Sequence, residues 1–279
     1  MEKESAEEKN SKFPERAYKL LSWAKRGRDI TVRDDQYPFP WLLDIVRSCQ
    51  KKRCRFRLID SGKLDTFELE SLGRAGADIY TSDEARPKPE ELELINKACQ
   101  KAGAIVADFH HGPLEEEPEE DIGSIPFASL ESLGSRGIYV HLTNKERKRD
   151  FLGLGDLAHA CQKGGSWLVY YHYGALEQPL GELASAWIHI SDDSLRESQD
   201  RDVLMEILKA GLSNGANFVI HLKEEWKDYE LREVIKAGAI ILFKSVLRDY
   251  KSPLKPLEKE AERRKLDFRT YYLYPLFLP

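Results

Sequence analysis

The sequence predicts an α/β fold built on a parallel sheet, and three observations carry that expectation. Short β-branched or aromatic runs alternate with amphipathic stretches along most of the chain. Gly76, Gly103, Gly137, Gly164, Gly215 and Gly238 fall where a C-cap glycine would close one of those stretches before the next run. Eight of the nine runs recur at intervals of about 20–35 residues, the period of a strand-helix unit.

Taken in order, residues 1–14 are Glu- and Lys-rich with few apolar side chains, so they are expected to form a flexible charged tail. The expected strands are Ile30–Arg33, Arg55–Asp60, Asp78–Ser82, Ala104–Phe109, Ile138–Leu142, Trp167–His172, Trp187–Ser191, Asn217–Leu222 and Ile240–Lys244. Pro89–Ala102, Leu154–Gln162, Asp202–Leu212 and Tyr229–Ala237 read as helices between them. Nine strands are one too many for a closed barrel of eight. Pro38 and Pro40 stand close behind Ile30–Arg33, so that run is set aside: residues 15–54 become an N-terminal extension packing on the barrel, and residues 55–279 the barrel with an apolar tail. Nothing like GxGxxG follows any strand, which disfavours an open doubly wound sheet. The expected fold class is a (β/α)8 TIM barrel with an N-terminal extension.

Composition narrows the function. A chain of 279 residues with 43 Lys+Arg against 48 Asp+Glu, net charge -5, has no basic excess to hold a polyanion, so nucleic acid is excluded as the expected partner. No apolar run reaches the roughly 18–20 residues that span a bilayer, and MEKESAEEKNSK lacks a signal peptide's apolar core; a cytoplasmic protein without membrane contact is expected. Cys49, Cys54, Cys99 and Cys161 form no CxxC pair and fit no zinc spacing, so reduced, structural thiols are expected.

Chemistry concentrates at the strand ends. His110, His111, His141, His172, His189 and His221 lie in the last half of an expected strand or just past it, where a barrel gathers its ligand-binding side chains. Period-two alternation is expected to turn Arg57, Asp108, His110, His141, His172, His189, His221 and Lys244 the same way. Burying so many ionisable groups costs several kcal/mol each unless they pair with one another or with a ligand; the other reading is core histidines bonded locally. No metal or other cofactor is expected, since the first barrel strand reads Arg-Phe-Arg-Leu-Ile-Asp and lacks HxH, and His110 and His111, being adjacent, point to opposite faces. A metal-dependent hydrolase using His141, His189 and His221 stays as an alternative.

From Arg55 to about Pro253 the chain resembles the type I 3-dehydroquinate dehydratases, Schiff-base barrels of the shikimate pathway. Cys54-Arg-Phe-Arg-Leu-Ile is similar to the family's opening strand, and Ala75-Gly-Ala-Asp-Ile-Tyr with Pro87-Lys-Pro-Glu-Glu-Leu to its second strand and helix. Leu168-Val-Tyr-Tyr-His-Tyr-Gly-Ala-Leu-Glu-Gln-Pro resembles strand five, and Ala186-Trp-Ile-His-Ile-Ser with Gln199-Asp-Arg-Asp-Val-Leu resembles strand six and its helix. The resemblance implies lyase activity, with His172 as general acid/base and Arg232 as the clamp on the substrate carboxylate. The departures are informative. His189 stands where the family's imine lysine belongs, and an imidazole forms no Schiff base. Thr81 and Asp83 replace the Glu and Arg at the end of strand two, and His141 the acidic residue of strand four. Lys244 is expected either as a relocated imine lysine or as the partner of a carboxylate or ligand anion.

Two flanking features complete the reading. The loop Gly112–Pro126 carries six acidic residues and reads as a solvated loop; the aromatic C-terminus, Phe268–Pro279, must dock on the barrel, on residues 15–54 or in a homodimer interface. The expectation from sequence is a diverged dehydroquinase-like barrel binding a small hydroxylated carboxylate, with His172, His189 and Lys244 as catalytic candidates and Arg57, Asp108, His110, His141, His221 and Arg232 as substrate-binding ones. A non-catalytic ligand-sensing or protein-binding barrel is the reading from a different class.

Overall fold

The computed structural model describes residues 15–114, 125–145, 147–191, 194–195, 201–222 and 233–243. Its elements are α1 (Glu15–Lys25), β1 (Ile30–Arg33), α2 (Phe39–Lys52), β2 (Phe56–Ile59), α3 (Thr66–Arg74), β3 (Ala77–Ser82), α4 (Pro89–Lys101), β4 (Val106–Phe109), α5 (Phe127–Ser135), β5 (Tyr139–Thr143), α6 (Phe151–Gly164), β6 (Leu168–His172), β7 (Ala186–Ser191), α7 (Arg201–Ser213), β8 (Asn217–Leu222) and β9 (Ile240–Phe243). Strand order follows chain order from β1 to β9, and the registers are parallel. A doubly wound sheet would reverse its order at a switch point. The fold is therefore α/β of the (β/α)8-barrel class.

Ile30–Arg33 departs from the expectation that it lies outside the sheet. It pairs with β2 from Ile30↔Phe56 to Arg33↔Ile59, burying Ile30 and Val32 while Thr31 and Arg33 stay exposed. The prolines behind it do not break a strand: Pro38 is the N-cap of α2 and Pro40 lies in its first turn, where a missing N–H costs nothing. Of the expected cap glycines, Gly76, Gly103, Gly137, Gly215 and Gly238 have positive φ; at the sixth position the left-handed residue is Gly165, while Gly164 is the last residue of α6.

The chain divides into two compact units, Met1–Leu142 with His159–Leu168, and Thr143–Ala158 with Val169–Pro279. In the first unit the register aligns Val32, Leu58, Ile79 and Val106 in one row. One step further along the same face come Asp60, Thr81 and Asp108. Asp60 holds Arg86, which also approaches Glu91 in the first turn of α4 at 3.7 Å, so this is the helix side of the sheet. The opposite face carries Arg57, Tyr80, Phe109 and His141. In the second unit Phe218 meets α7, because a Cβ on Gly211 would lie 2.4 Å from its ring. Ile188, Ile190 and Ile220 share that helix-side face, and His189, Ser191, Val219 and His221 share the other.

A repeat runs through these elements. Leu-Glu-Ser-Leu-Gly occurs at 69–73 in α3 and again at 130–134 in α5, and Cys-Gln-Lys closes α2 at 49–51, α4 at 99–101 and α6 at 161–163. The contacts repeat as well. Gly73 and Gly134 leave room for the sulfurs of Cys99 and Cys161, which would lie 2.6 and 2.8 Å from an added Cβ. After each Cys-Gln-Lys the chain turns through one left-handed residue, and the next N–H returns to the cysteine carbonyl: Cys54 to Cys49 at 3.1 Å, Ala104 to Cys99 at 2.9 Å, Ser166 to Cys161 at 2.9 Å. Two helices separated by a strand thus form the repeating unit.

The left-handed residue is Gly103 in one copy and Gly165 in another, but Arg53, at φ 56, in the first. A Cβ in that conformation costs about 1–2 kcal/mol, part of which glycine returns through its freedom in the unfolded chain. Arg53→Gly is expected to raise stability by about 0.5–1 kcal/mol; urea unfolding with an unchanged m value checks it, and a loss of stability would show that the Arg53 side chain matters more than its backbone.

Candidate functional site

Three polar side chains at the ends of odd-numbered strands, two buried and one half-buried, hold the loops that follow the even-numbered ones. Asp34, just past β1, accepts hydrogen bonds from the backbone of Ser61, Lys63 and Leu64 at 3.0, 3.2 and 3.3 Å. Asp83, past β3, accepts from the N–H groups of His111 and Gly112 at 3.0 and 3.1 Å. Asn144, past β5, accepts from Tyr173 N–H at 2.7 Å. Each reaches one loop over, the same device in successive repeats.

His110 and His172 belong to this bracing. Each lies at the end of an even-numbered strand with Nε2 on the carbonyl three residues ahead, Pro113 at 3.2 Å and Ala175 at 2.9 Å. Their Nδ1 atoms meet the brace of the preceding strand: Asp83 lies 3.1 Å from that of His110 and the Asn144 amide 3.4 Å from that of His172. The amide nitrogen can only donate, so His172 fits the tautomer whose Nε2–H donates to Ala175.

Asp108 sits on the same helix-side face as His110, fully buried. Neither of its carboxyl oxygens has a hydrogen-bond partner among the described residues. Burial, reinforced by the nearby Asp83 charge, holds its pKa well above the ordinary carboxylate value and favours the neutral acid. Asp83 moves the other way: burial opposes ionisation, but the hydrogen bond from His110 and those from the backbone win and lower its pKa.

The expected same-face set is therefore divided. In the first unit Arg57 and His141 lie on the face away from the helices, and Asp108 and His110 on the face toward them. The reason lies in register: Phe109 pairs with His141 and Asp108 with Val140, so Asp108 and His141 cannot share a face. Arg57 bonds Asp29 at 3.2 Å, and the His141 ring lies against Phe109 at 4.3 Å. Arg232 and Lys244 fall outside the described residues, as do the acidic stretch 115–124 and the C-terminal tail.

The second unit contains the arrangement with the most chemical content. His189, on β7, places Nδ1 2.7 Å from Nε2 of His221 on β8. The rings are stacked at 5.0 Å and 27°, and Tyr171 of β6 lies 4.6 Å from the His189 ring. Tyr171 and His189 share a face, so His172, the next residue on β6, points to the other one. At 2.7 Å one imidazole N–H donates to the bare nitrogen of its neighbour. Burial pushes the His221 pKa down to about 3, which keeps that ring neutral at physiological pH. Ser191, two residues beyond His189, is in register with His221, and its hydroxyl lies 2.8 Å from that of Ser194.

His141 and His221 set the acid sensitivity. Burial lowers each from 6.5 to about 3, so below pH 6.5 the unfolded chain takes up protons that the folded chain refuses, and stability falls as pH drops toward 3. Asp108, with its raised pKa, has the opposite slope above about pH 4. The two histidines together make stability rise with pH between about 4 and 6.5, and Asp108 opposes them. His221→Asn is expected to lower that slope by about 1.4 kcal/mol per unit, measured by urea unfolding across the range; an unchanged slope would mean that His221 is already protonated in the fold.

Among the described residues no three His, Cys, Asp or Glu side chains are grouped so as to hold a metal ion, and no helix is long and apolar enough to cross a membrane. The sequence reading missed Asp34, Asp60, Arg86 and Asn144. The repeat was the available signal, since Asp83 and Asn144 occupy matching places after the two Leu-Glu-Ser-Leu-Gly segments.

No family model and no curated protein matches the chain. Similar solved structures include a citrate synthase, SbnG, with 12% identity over 88% of this chain and 98% of that one at TM-score 0.36. Another is a putative fructose-1,6-biphosphate aldolase from Coccidioides immitis, 15% identical over 88% of both chains at TM-score 0.38. A third is a HpcH/HpaI aldolase/citrate lyase family protein from Burkholderia cenocepacia, 12% identical over 78% of this chain and 98% of that one at TM-score 0.34. At such values similarity assigns neither a reaction nor a ligand.

Proposed function

We propose that the protein is a lyase-type barrel enzyme that acts on a small hydroxylated carboxylate by acid–base chemistry without an imine, and that His189 and His221 are its acid/base pair. The observation that carries this reading is the 2.7 Å hydrogen bond between buried His189 and half-buried His221 on the face away from the helices. A proton accepted at the outer nitrogen of one ring shifts the shared proton and releases another from the far nitrogen of its partner. Elimination of water needs such a pair, a base for the proton beside an activating carbonyl or carboxylate and an acid for the departing hydroxyl. His189 stands where the resembling family keeps its imine lysine, which supports a site at the same place with the covalent step replaced. His172 is assigned to bracing its loop. Arg232 is assigned the carboxylate clamp and Lys244 a contact to a ligand anion, both on sequence position.

Borohydride added with 3-dehydroquinate is expected to trap no adduct, and an adduct mapped to Lys244 would restore an imine mechanism. Thermal-shift screening of small hydroxy acids tests the ligand class, because a ligand at 100 times its Kd adds about 2.7 kcal/mol of stability. If none of these acids shifts the transition, the non-catalytic barrel becomes the better reading.

A further inference from the structure

We propose that Cys49 and Cys54 form a redox-active dithiol, a site of reversible disulfide formation at the junction of α2 and β2. The two residues occupy the places that the helix-ending turn of α2 brings together, with Cys54 N–H on the Cys49 carbonyl at 3.1 Å and the left-handed Arg53 between them. Cys54 Sγ also lies 3.7 Å from the carbonyls of Cys49 and of Ala24 at the end of α1. The same turn occurs twice more, after Cys99 and Cys161, but there its second place holds Ala104 and Ser166. A second thiol is thus the feature that sets the first copy apart, and the turn needs none.

The exposures divide the roles. Cys54 is partly exposed and meets the oxidant; Cys49 is buried and completes the bond. With a low-molecular-weight disulfide such as oxidised glutathione, the Cys54 thiolate attacks one sulfur, forming a mixed disulfide and expelling one thiolate. The Cys49 thiolate then attacks Cys54 Sγ and expels the second. The protein loses two electrons and two protons, and the reagent becomes two thiols. Burial raises the Cys49 pKa, and so does the neighbouring Cys54 thiol. Formation of the mixed disulfide removes the second influence, leaving a resolving step on the slow side of the usual seconds to hours.

The experiment is non-reducing peptide mapping of the folded full chain after incubation with oxidised glutathione. Lys51, Lys52 and Arg53 separate the cysteines, so trypsin leaves Cys49 and Cys54 in different peptides that stay joined only through a disulfide. The expected result is a Cys49–Cys54 linked pair, released by dithiothreitol, while Cys99 and Cys161 remain alkylatable only after denaturation. Cys54→Ala, which copies the residue at 104, is expected to fold and to show no linked pair. Accumulation of Cys54 as the glutathione adduct without linkage, or oxidation of Cys99 and Cys161 at the same rate, would overturn the proposal.

Discussion

Arg86→Met is expected to destabilise the protein by about 3–5 kcal/mol, the cost of stranding a buried carboxylate. Arg86 bonds Asp60 through Nε at 2.8 Å and through a terminal nitrogen at 3.1 Å, and also donates to the Leu64 carbonyl. Both side chains are buried. Thr81 and the N–H of Gly62 also donate to Asp60, at 2.8 and 2.9 Å, so the methionine variant keeps two donors to the carboxylate but loses its counter-charge. Methionine conserves the length of the apolar stem, which confines the effect to the guanidinium, its charge and its hydrogen bonds to Asp60 and Leu64. The Arg86 pKa is raised, since the pairing with Asp60 outweighs burial. Urea unfolding at pH 7 measures the loss. A cost below about 1 kcal/mol would mean that solvent replaces the guanidinium and that the pair is effectively a surface one.

That ion pair was hidden from the sequence, while the strands around it were plain. Ile138–Leu142 and Asn217–Leu222 are legible because parallel strands buried on both faces read as apolar runs with few polar interruptions. Ile30–Arg33 was misplaced for a local reason: the prolines behind it start a helix, and a proline at a helix start and one that ends a strand look alike in one dimension. The side chain of Asp60 makes contacts to residues 81 and 86, more than 20 positions away, and no local pattern signals such partners.

The histidines show where a strand-end argument succeeds and where it stops. Their position near the ends of strands was legible, but which face each takes depends on register, fixed by pairing with the neighbouring strand. His110 and His172 both end strands and both brace loops, a likeness that the repeat explains and that counting histidines conceals. His189 and His221 are 32 residues apart on adjacent strands, and only their register makes them one hydrogen-bonded pair.

His189→Asn and His221→Asn are each expected to lower turnover of the natural substrate by about 10²–10⁴-fold while leaving the chain folded, the usual range for loss of general acid–base catalysis. Because a proton entering one ring leaves from the other, the pair acts as a unit, and the double variant should lose no more than the worse single one. Additive losses would mean that the two rings act separately. Asparagine conserves some hydrogen-bonding capacity but neither takes up nor releases a proton at physiological pH, so the fall should lie in kcat, with KM changing less. His172→Ala separates a brace from a catalyst: removing the ring leaves the Ala175 carbonyl without its donor and should cost about 1–3 kcal/mol of stability, with the pH profile of the reaction unmoved. If instead both His189 and His221 variants melt several degrees lower and still bind an identified ligand with unchanged affinity, the pair is a structural hydrogen bond in the core, and the acid–base assignment to it fails.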